Sequence, residues 1–255
     1  MEPTRLNKYL SEQGICSRRE ADRLIEAGQI TIDGRTASMG EKVTGQEMIL
    51  CKGKPVGKAS GGARVRPVLL AVNKPRGIVC TTSDKDHAPN VLDLIQYPAR
   101  VYPVGRLDKD SEGLLLMTNQ GDLANRIMHA GSLHEKEYLV TVDQPFNAAF
   151  LKKMREGVEL KELGETTRPC QVEAAGPKTF KIILTQGLNR QIRRMCGELG
   201  YRVVTLKRVR IMNIQLGRLK TGDFRRVTPG ELAELERQLG MREEAEDEYG
   251  GESRE

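Results

Sequence analysis

Residues 101–119 read VYPVGRLDKDSEGLLLMTN, and the fold class turns on them. Two extended-type segments, Val101 to Leu107 and Leu114 to Asn119, flank a polar loop from Lys109 to Gly113. Pro103 and Gly105 oppose a helix in the first segment. The short apolar run of the second reads as a buried strand. The pair delivers Arg106 and Asp108 to a loop edge. Outward on the N-terminal side, Val68 to Asn73 is another buried-type strand, and Gly77 to Thr82 reads as a further one after the break at Pro75.

On the C-terminal side, Asp122 to His129, Phe146 to Glu156 and Pro229 to Leu239 carry helical spacing. Asn189 to Leu199 does too, with Ile192, Met195, Cys196 and Leu199 on one face. Glu137 to Val142, Val172 to Glu173, Phe180 to Leu184, Arg202 to Leu206 and Arg210 to Leu216 read as strands. Strands dominate and helices do not alternate regularly with them. The expected class is α+β with a mixed, mostly antiparallel sheet rather than a doubly wound fold.

Upstream, 52–67 (KGKPVGKASGGARVRP) is rich in Gly, Pro and bases with little to bury, and reads as a flexible linker. It separates a module at 1–51 from a domain at 68–240, and 241–255 reads as an acidic disordered tail. The module carries strong local signals. Leu6, Tyr9 and Leu10 share a helix face. Ser17 and Glu20 form a capping-box pattern before Ala21, Leu24 and Ile25, and Gly28 stops that helix. Asp33-Gly34 between short strand-like runs signals a hairpin. The module is therefore helix, helix, hairpin.

The 255 residues carry a net charge of +6. The tail contributes −5, so the rest of the chain is +11, which suits a polyanionic partner. No apolar run approaches the ~20 residues of a membrane helix, and residues 1–10 are no secretory signal. Five cysteines, odd in number and without a C-x-x-C pair, argue against a zinc knuckle or a disulfide framework and for a reducing cytoplasm. Three histidines without a ligand cluster leave no dedicated metal site. There is no P-loop, dinucleotide fingerprint or G-x-S-x-G. What remains is carboxylate, Tyr and Arg chemistry.

The wording RLNKYLSEQGICSRREADRLIEAGQITIDGRTA, from about Arg5 to Val43, resembles the RNA-binding module named after small-subunit ribosomal protein S-four. VYPVGRLDKDSEGLLLMTNQGDLANRI, EKEYLVTV and LTQGLNRQIRRM resemble three ordered motifs of the RsuA family of pseudouridine synthases. The resemblance runs from about Leu69 to Val227. It implies an enzyme that breaks the uridine C1′–N1 bond, turns the uracil and rejoins it through C5, without cofactor. It also implies roles. Asp108 is the catalytic aspartate, attacking the sugar or removing a ribose proton. Arg193 pairs with it. Arg106 fills the place of the extruded nucleotide. Tyr138 stacks on the flipped uracil, and Leu184 packs against the base or Tyr138. In the module, Lys8, Arg18, Arg19 and Arg23 occupy RNA-binding positions.

Lys207, Arg208 and Arg210 read as a basic stretch, following an RNA backbone or simply solvated. The few aromatics and absent Trp favour folded RNA over single-strand stacking platforms. Within the family the wording is most similar to the F type of ribosomal large-subunit pseudouridine synthase. The expected partner is thus large-subunit rRNA or an assembly intermediate, met by a cytoplasmic monomer away from membranes. The short acidic end departs from the Lys-rich tail of that type. The alternatives are the same reaction on small-subunit rRNA or tRNA, or a non-catalytic RNA-binding ribosome-assembly protein.

Overall fold

A computed structural model describes residues 2–57, 61, 66–81, 89–129, 131 and 133–241. The acidic tail expected at 241–255 lies outside the described residues except Met241, as do Thr82 to His87. The chain divides into two compact units. One holds Met1–Val68 with Tyr97–Val101 and Asn119–Gly121; the other holds Leu69–Gln96, Tyr102–Thr118 and Asp122–Glu255.

Local signals build the first unit. Helix Leu6–Glu12 buries Leu6 and Leu10. Helix Arg18–Glu26 begins where the Ser17 side chain accepts the Glu20 N–H, satisfying a donor the first turn leaves open. It ends at Gly28, with φ +67°. There the Gly28 and Gln29 N–H groups return to the Ile25 and Leu24 carbonyls, a Schellman closure. Ala21, Leu24 and Ile25 pack with Leu6, Leu10, Ile30, Ile32 and Ile49 in one core. Strands Ile30–Ile32 and Arg35–Thr36 meet across Asp33 and Gly34, both at positive φ, as a two-residue type I′ turn demands.

A second such turn corrects the linker boundary. Lys52 and Gly53, also at positive φ, join Ile49–Cys51 to the strand Lys54–Val56. The sheet runs Arg35–Thr36, Ile30–Ile32, Ile49–Cys51, Lys54–Val56. Hence the beginning of 52–67 is a hairpin that buries Val56, not linker. Farther on, Asn119 accepts the Val68 N–H and donates to the Arg66 carbonyl, bringing that residue into the first unit.

The second unit is built on a nine-stranded sheet. Its main path runs Gln171–Ala174, Thr179–Leu184, Lys136–Val142, Val203–Ile211, Glu112–Thr118, Leu69–Lys74, Phe224–Arg226. Tyr102–Pro103 pairs beside Glu112–Thr118, and Ile214–Gln215 beside Val203–Ile211. Within this sheet, among the described residues, every strand pairing is antiparallel except one: Lys207 and Arg208 run parallel to Glu112 and Gly113. This is the α+β, mostly antiparallel arrangement the sequence implies. Two cores flank that seam. One gathers Val140, Phe150, Phe180, Ile182, Ile192 and Met195; the other Leu69, Leu114, Leu116, Leu123, Ile127 and Ile214.

Two strand readings change. Gly77 to Thr81 forms no strand beyond a single bridge from Val79 to Asn90, and Thr82 lies outside the described residues. The segments Arg202 to Leu206 and Arg210 to Leu216 are not separate strands broken at Lys207-Arg208. Val203–Ile211 is continuous, with a bulge opposite Glu137 and Tyr138. Glu137 faces Arg210 and Tyr138 faces Arg208, which leaves Val209 as the extra residue. Among the described residues no helix is long and apolar enough to cross a membrane, and no His, Cys, Asp or Glu group is arranged to hold a metal ion. All five cysteines are free.

Candidate active site

Gly105 turns the chain with φ +75°, a conformation L side chains rarely adopt, between Tyr102–Pro103 and the loop carrying Asp108. Leu107 is buried between exposed Arg106 and half-buried Asp108, so the polar pair brackets an apolar anchor. The Ser111 N–H closes the loop onto the Asp108 carbonyl at 3.0 Å. Asp108 and Arg106 thereby reach a cavity of about 740 Å³, which Tyr138, Leu184, Arg190, Arg193 and Arg208 also line. The five residues expected at the reaction centre, Asp108, Arg193, Arg106, Tyr138 and Leu184, therefore come together at one site.

Tyr138 lies in Lys136–Val142, half-buried on the first core. Leu184 ends Thr179–Leu184 opposite Lys136 and is 3% exposed. Helix Gln191–Glu198 supplies Arg193, with Ile192, Met195 and Cys196 buried beneath it. It starts at Arg190, which is left-handed at φ 50° without being glycine, a strained conformation that its surroundings must hold.

Asp110 provides much of that hold. It accepts from Arg190 Nη1 and Nη2 at 3.2 and 3.1 Å. The Arg190 hydrogen bonds keep the Asp110 carboxyl below the usual aspartate range, and Asp110 in turn raises the Arg190 guanidinium. Arg193 departs from expectation. Its guanidinium is turned to Asp110, not to Asp108. Nη2 donates to the Asp110 carbonyl at 3.0 Å and to Ser111 Oγ at 3.2 Å, Nη1 donates to the Val203 carbonyl, and Nε lies 3.5 Å from Asp110 Oδ2. Burial lowers the Arg193 pKa, partly offset by Asp110. The ion pair of Asp108 is instead with Arg190, at 3.6 Å. The loop folds back at Ser111 and places Asp110 nearer the helix than Asp108.

Several residues at the site escaped the sequence reading. Lys74 is fully buried and donates to the Pro75 and Ile78 carbonyls at 2.8 Å each. Burial lowers its pKa, opposed by Cys80, Asp108 and Asp110. A lysine closing the apolar run LLAVN just before a proline was a readable signal. Asp110 and Arg190 had none beyond adjacency to Asp108 and Arg193. The basic stretch at 207–210 is corrected. Arg208 is 4% exposed, while Arg210 binds Glu137 at 2.9 Å and Glu135 at 3.0 Å. Neither is a solvated or backbone-following side chain.

In the first unit Arg18, Arg19 and Arg23 are exposed. Arg23 pairs with Glu20 at 3.1 Å, and half-buried Lys8 lies 3.5 Å from Glu12.

The family described as RNA pseudouridylate synthase matches residues 68–198, and the S4 domain matches residues 4–49. The dual-specificity RNA pseudouridine synthase RluF of Salmonella typhi is 48% identical over 232 residues, covering 91% of this chain and 78% of that protein. The ribosomal large subunit pseudouridine synthase B of Bacillus subtilis is 34% identical, covering 91% of this chain and 95% of that protein. A crystal structure of a pseudouridylate synthase superposes with a TM-score of 0.66 at 28% identity, covering 91% of this chain and 99% of that one.

Proposed function

The chain belongs to the RNA pseudouridylate synthase family, and from that premise we propose that it isomerises a uridine of large-subunit ribosomal RNA, with Asp108 as the group that acts on the sugar. The observation that carries this reading is the setting of Asp108. It is the one carboxylate among the described residues lining a cavity that also holds Tyr138 and Leu184.

The target uridine leaves its stack, and Arg106, exposed at the cavity edge, takes its place in the RNA. The uracil lies on Tyr138 with Leu184 against it; stacking of this kind contributes about 1–3 kcal/mol per base. Asp108 attacks C1′ or removes a ribose proton as the C1′–N1 bond breaks. Arg190 Nη1 stands 3.6 Å from Asp108 Oδ2 and sets a positive charge beside the acting carboxylate. Arg193 fixes the Asp110–Ser111 turn behind Asp108, and it exchanges toward Asp108 when substrate enters. The domain at 68–240 does the chemistry, while Lys8, Arg18, Arg19 and Arg23 of the N-terminal module hold structured RNA through phosphates. The enzyme works in the cytoplasm.

The name dual-specificity carried by the Salmonella typhi relative supports a second RNA as the alternative substrate. A base-resolved pseudouridine map of rRNA and tRNA, from cells with the intact gene and with Asp108→Ala alone, tests both readings. Loss of a large-subunit position is expected. Loss of only a small-subunit or tRNA position would replace the substrate, and no lost position with the protein expressed would sink the assignment of Asp108.

A further inference from the structure

Opposite residues of an antiparallel pair share a sheet face. Leu184 faces Lys136, Ile182 faces Tyr138, and Arg208 faces Tyr138 on the other side. Lys136 and Tyr138 are two apart on one strand, so Lys136, Tyr138 and Arg208 point into the cavity together, and all three line it. The bulge at Val209 makes this possible. Without it, Arg208 and Arg210 would share a face. With it, Arg210 goes to Glu135 and Glu137 on one side, and Arg208 goes to the cavity on the other.

Among the described residues Arg208 has no carboxylate partner. Its Nε donates to the Leu114 carbonyl at 2.7 Å and its Nη1 to the Arg106 carbonyl at 3.4 Å, while Nη2 is buried without a hydrogen-bond partner among the described residues. Among the described residues the Lys136 ammonium makes one hydrogen bond, a long one to the His134 carbonyl at 3.4 Å. A charge kept from water without a counter-ion is costly unless something anionic arrives to meet it.

We infer that Lys136 and Arg208 form a carboxylate-free cationic subsite beside Tyr138 that takes up the negative charge of the uracil as it leaves the sugar. The inference rests on the reading of Asp108 and Tyr138 given above, and it holds for either action of Asp108. When the C1′–N1 bond breaks, both electrons leave with the ring and charge spreads over its O2 and O4 atoms. The ring turns, C5 uses an electron pair to bond C1′, the C5 hydrogen departs as a proton, and N1 takes one up. Nothing is oxidised or reduced. The charge exists only between the two bonds, so donors fixed beforehand at O2 and O4 favour the barrier over the bound substrate.

Depth favours the base over a phosphate as the occupant. The backbone of folded RNA stays at the surface, whereas a guanidinium 4% exposed is within reach only of what is flipped inward. Burial, and then Arg208, lower the Lys136 pKa, in keeping with two close cations awaiting an anion.

The test uses the purified full chain on rRNA and tRNA from cells lacking the gene, with single-turnover pseudouridine formation and RNA affinity both measured. Lys136→Met is expected to slow the bound-state rate on the order of a hundredfold, as loss of one preorganised donor does. Affinity should change by less than about threefold, and Lys136→Arg should recover most of the rate. RNA carrying 5-fluorouridine, whose ring is a better leaving anion, should show a smaller Lys136→Met defect in the loss of the starting nucleoside. A purely structural role would not give that dependence. The inference is overturned by a Lys136→Met rate close to the parent, by a defect confined to affinity, which marks a phosphate contact, or by a defect Lys136→Arg does not relieve. Asp108→Asn and Tyr138→Leu run alongside: parental rates in both would remove the cavity reading itself, whatever the lysine does.

Discussion

The arginines of helix Arg18–Glu26 and those around the cavity carry the same charge in opposite settings. Arg18 and Arg19 stand exposed in water, with no ion-pair partner among the described residues. Arg193 is 13% exposed and Arg208 4%, both held by backbone carbonyls. Exposed charge is screened within about 8 Å at physiological salt, so it acts on affinity, encounter and salt dependence. Charge fixed on side chains withdrawn from water is screened less and acts more strongly on whatever forms beside it. On the proposed function, the chain thus spends one residue type on two tasks, holding RNA and handling charge during the reaction.

Four experiments press on this division. The largest effect is expected of Asp108→Asn, which should cut turnover on the order of 10⁴-fold while RNA affinity and thermal unfolding stay near the parent. A modest loss of rate would mean the cavity does not divide from the surface as described. Next, Arg208→Met should slow the bound-state step by roughly a hundredfold with little change in affinity. An affinity loss there would move Arg208 into the same class as Arg18.

The mirror experiment is Arg18→Glu with Arg19→Glu. RNA affinity should fall, and the slope of log affinity against log salt should become shallower by about 1 to 2. The rate at saturating protein should hold. A changed bound-state rate with an unchanged slope would break the comparison from the other side.

The smallest effect concerns a charge between the two extremes. Glu231 caps helix Pro229–Gln238 and takes two hydrogen bonds from Arg225 at 2.7 Å. Arg225 is the main cause that holds its pKa at about 2, below the usual 4.5. A depressed carboxyl stabilises the fold fully above its unfolded pKa and stops doing so as pH falls through the folded one. Glu231→Gln should therefore lower the melting temperature slightly at pH 7, and the difference from the parent should vanish between about pH 4.5 and pH 2. A difference that persists at pH 2 would assign the effect to lost packing.

Legibility followed the range of the interactions. Ser17, Gly28 and the Asp33-Gly34 turn act over a few residues, so the first module could be read residue by residue. The same physics was present in Lys52-Gly53, but composition made it resemble linker, and the strand Lys54–Val56 was lost. Asp108, Tyr138 and Leu184 stood out through ordered motifs, and the fold gathers them. The partner of Arg193 could not be read, because it depends on how the loop folds back at Ser111. Arg208 was least legible: its place is set by one unpaired residue, Val209, in a strand whose alternation otherwise looks regular. A period-two reading sends Arg208 and Arg210 to the same side, and only the pairing with Glu137 and Tyr138 separates them.

The parallel seam has a consequence in time as well as in space. Arg208 and Leu114, bonded across it, lie 94 residues apart in the chain. At the same place a side chain on Gly113 would meet the Arg208 carbonyl oxygen at 2.3 Å, so the strands close only with a hydrogen there. Such distant partners are costly to bring together, and contacts of this kind form late. The core that holds Tyr138 can gather on its own side, whereas the core on the Asp108 side draws Ile211, Ile214 and Leu216 from beyond the seam. Asp108 and Tyr138 arrive at a common cavity only when the seam closes, and a chain still folding beside RNA is harmless to it until then.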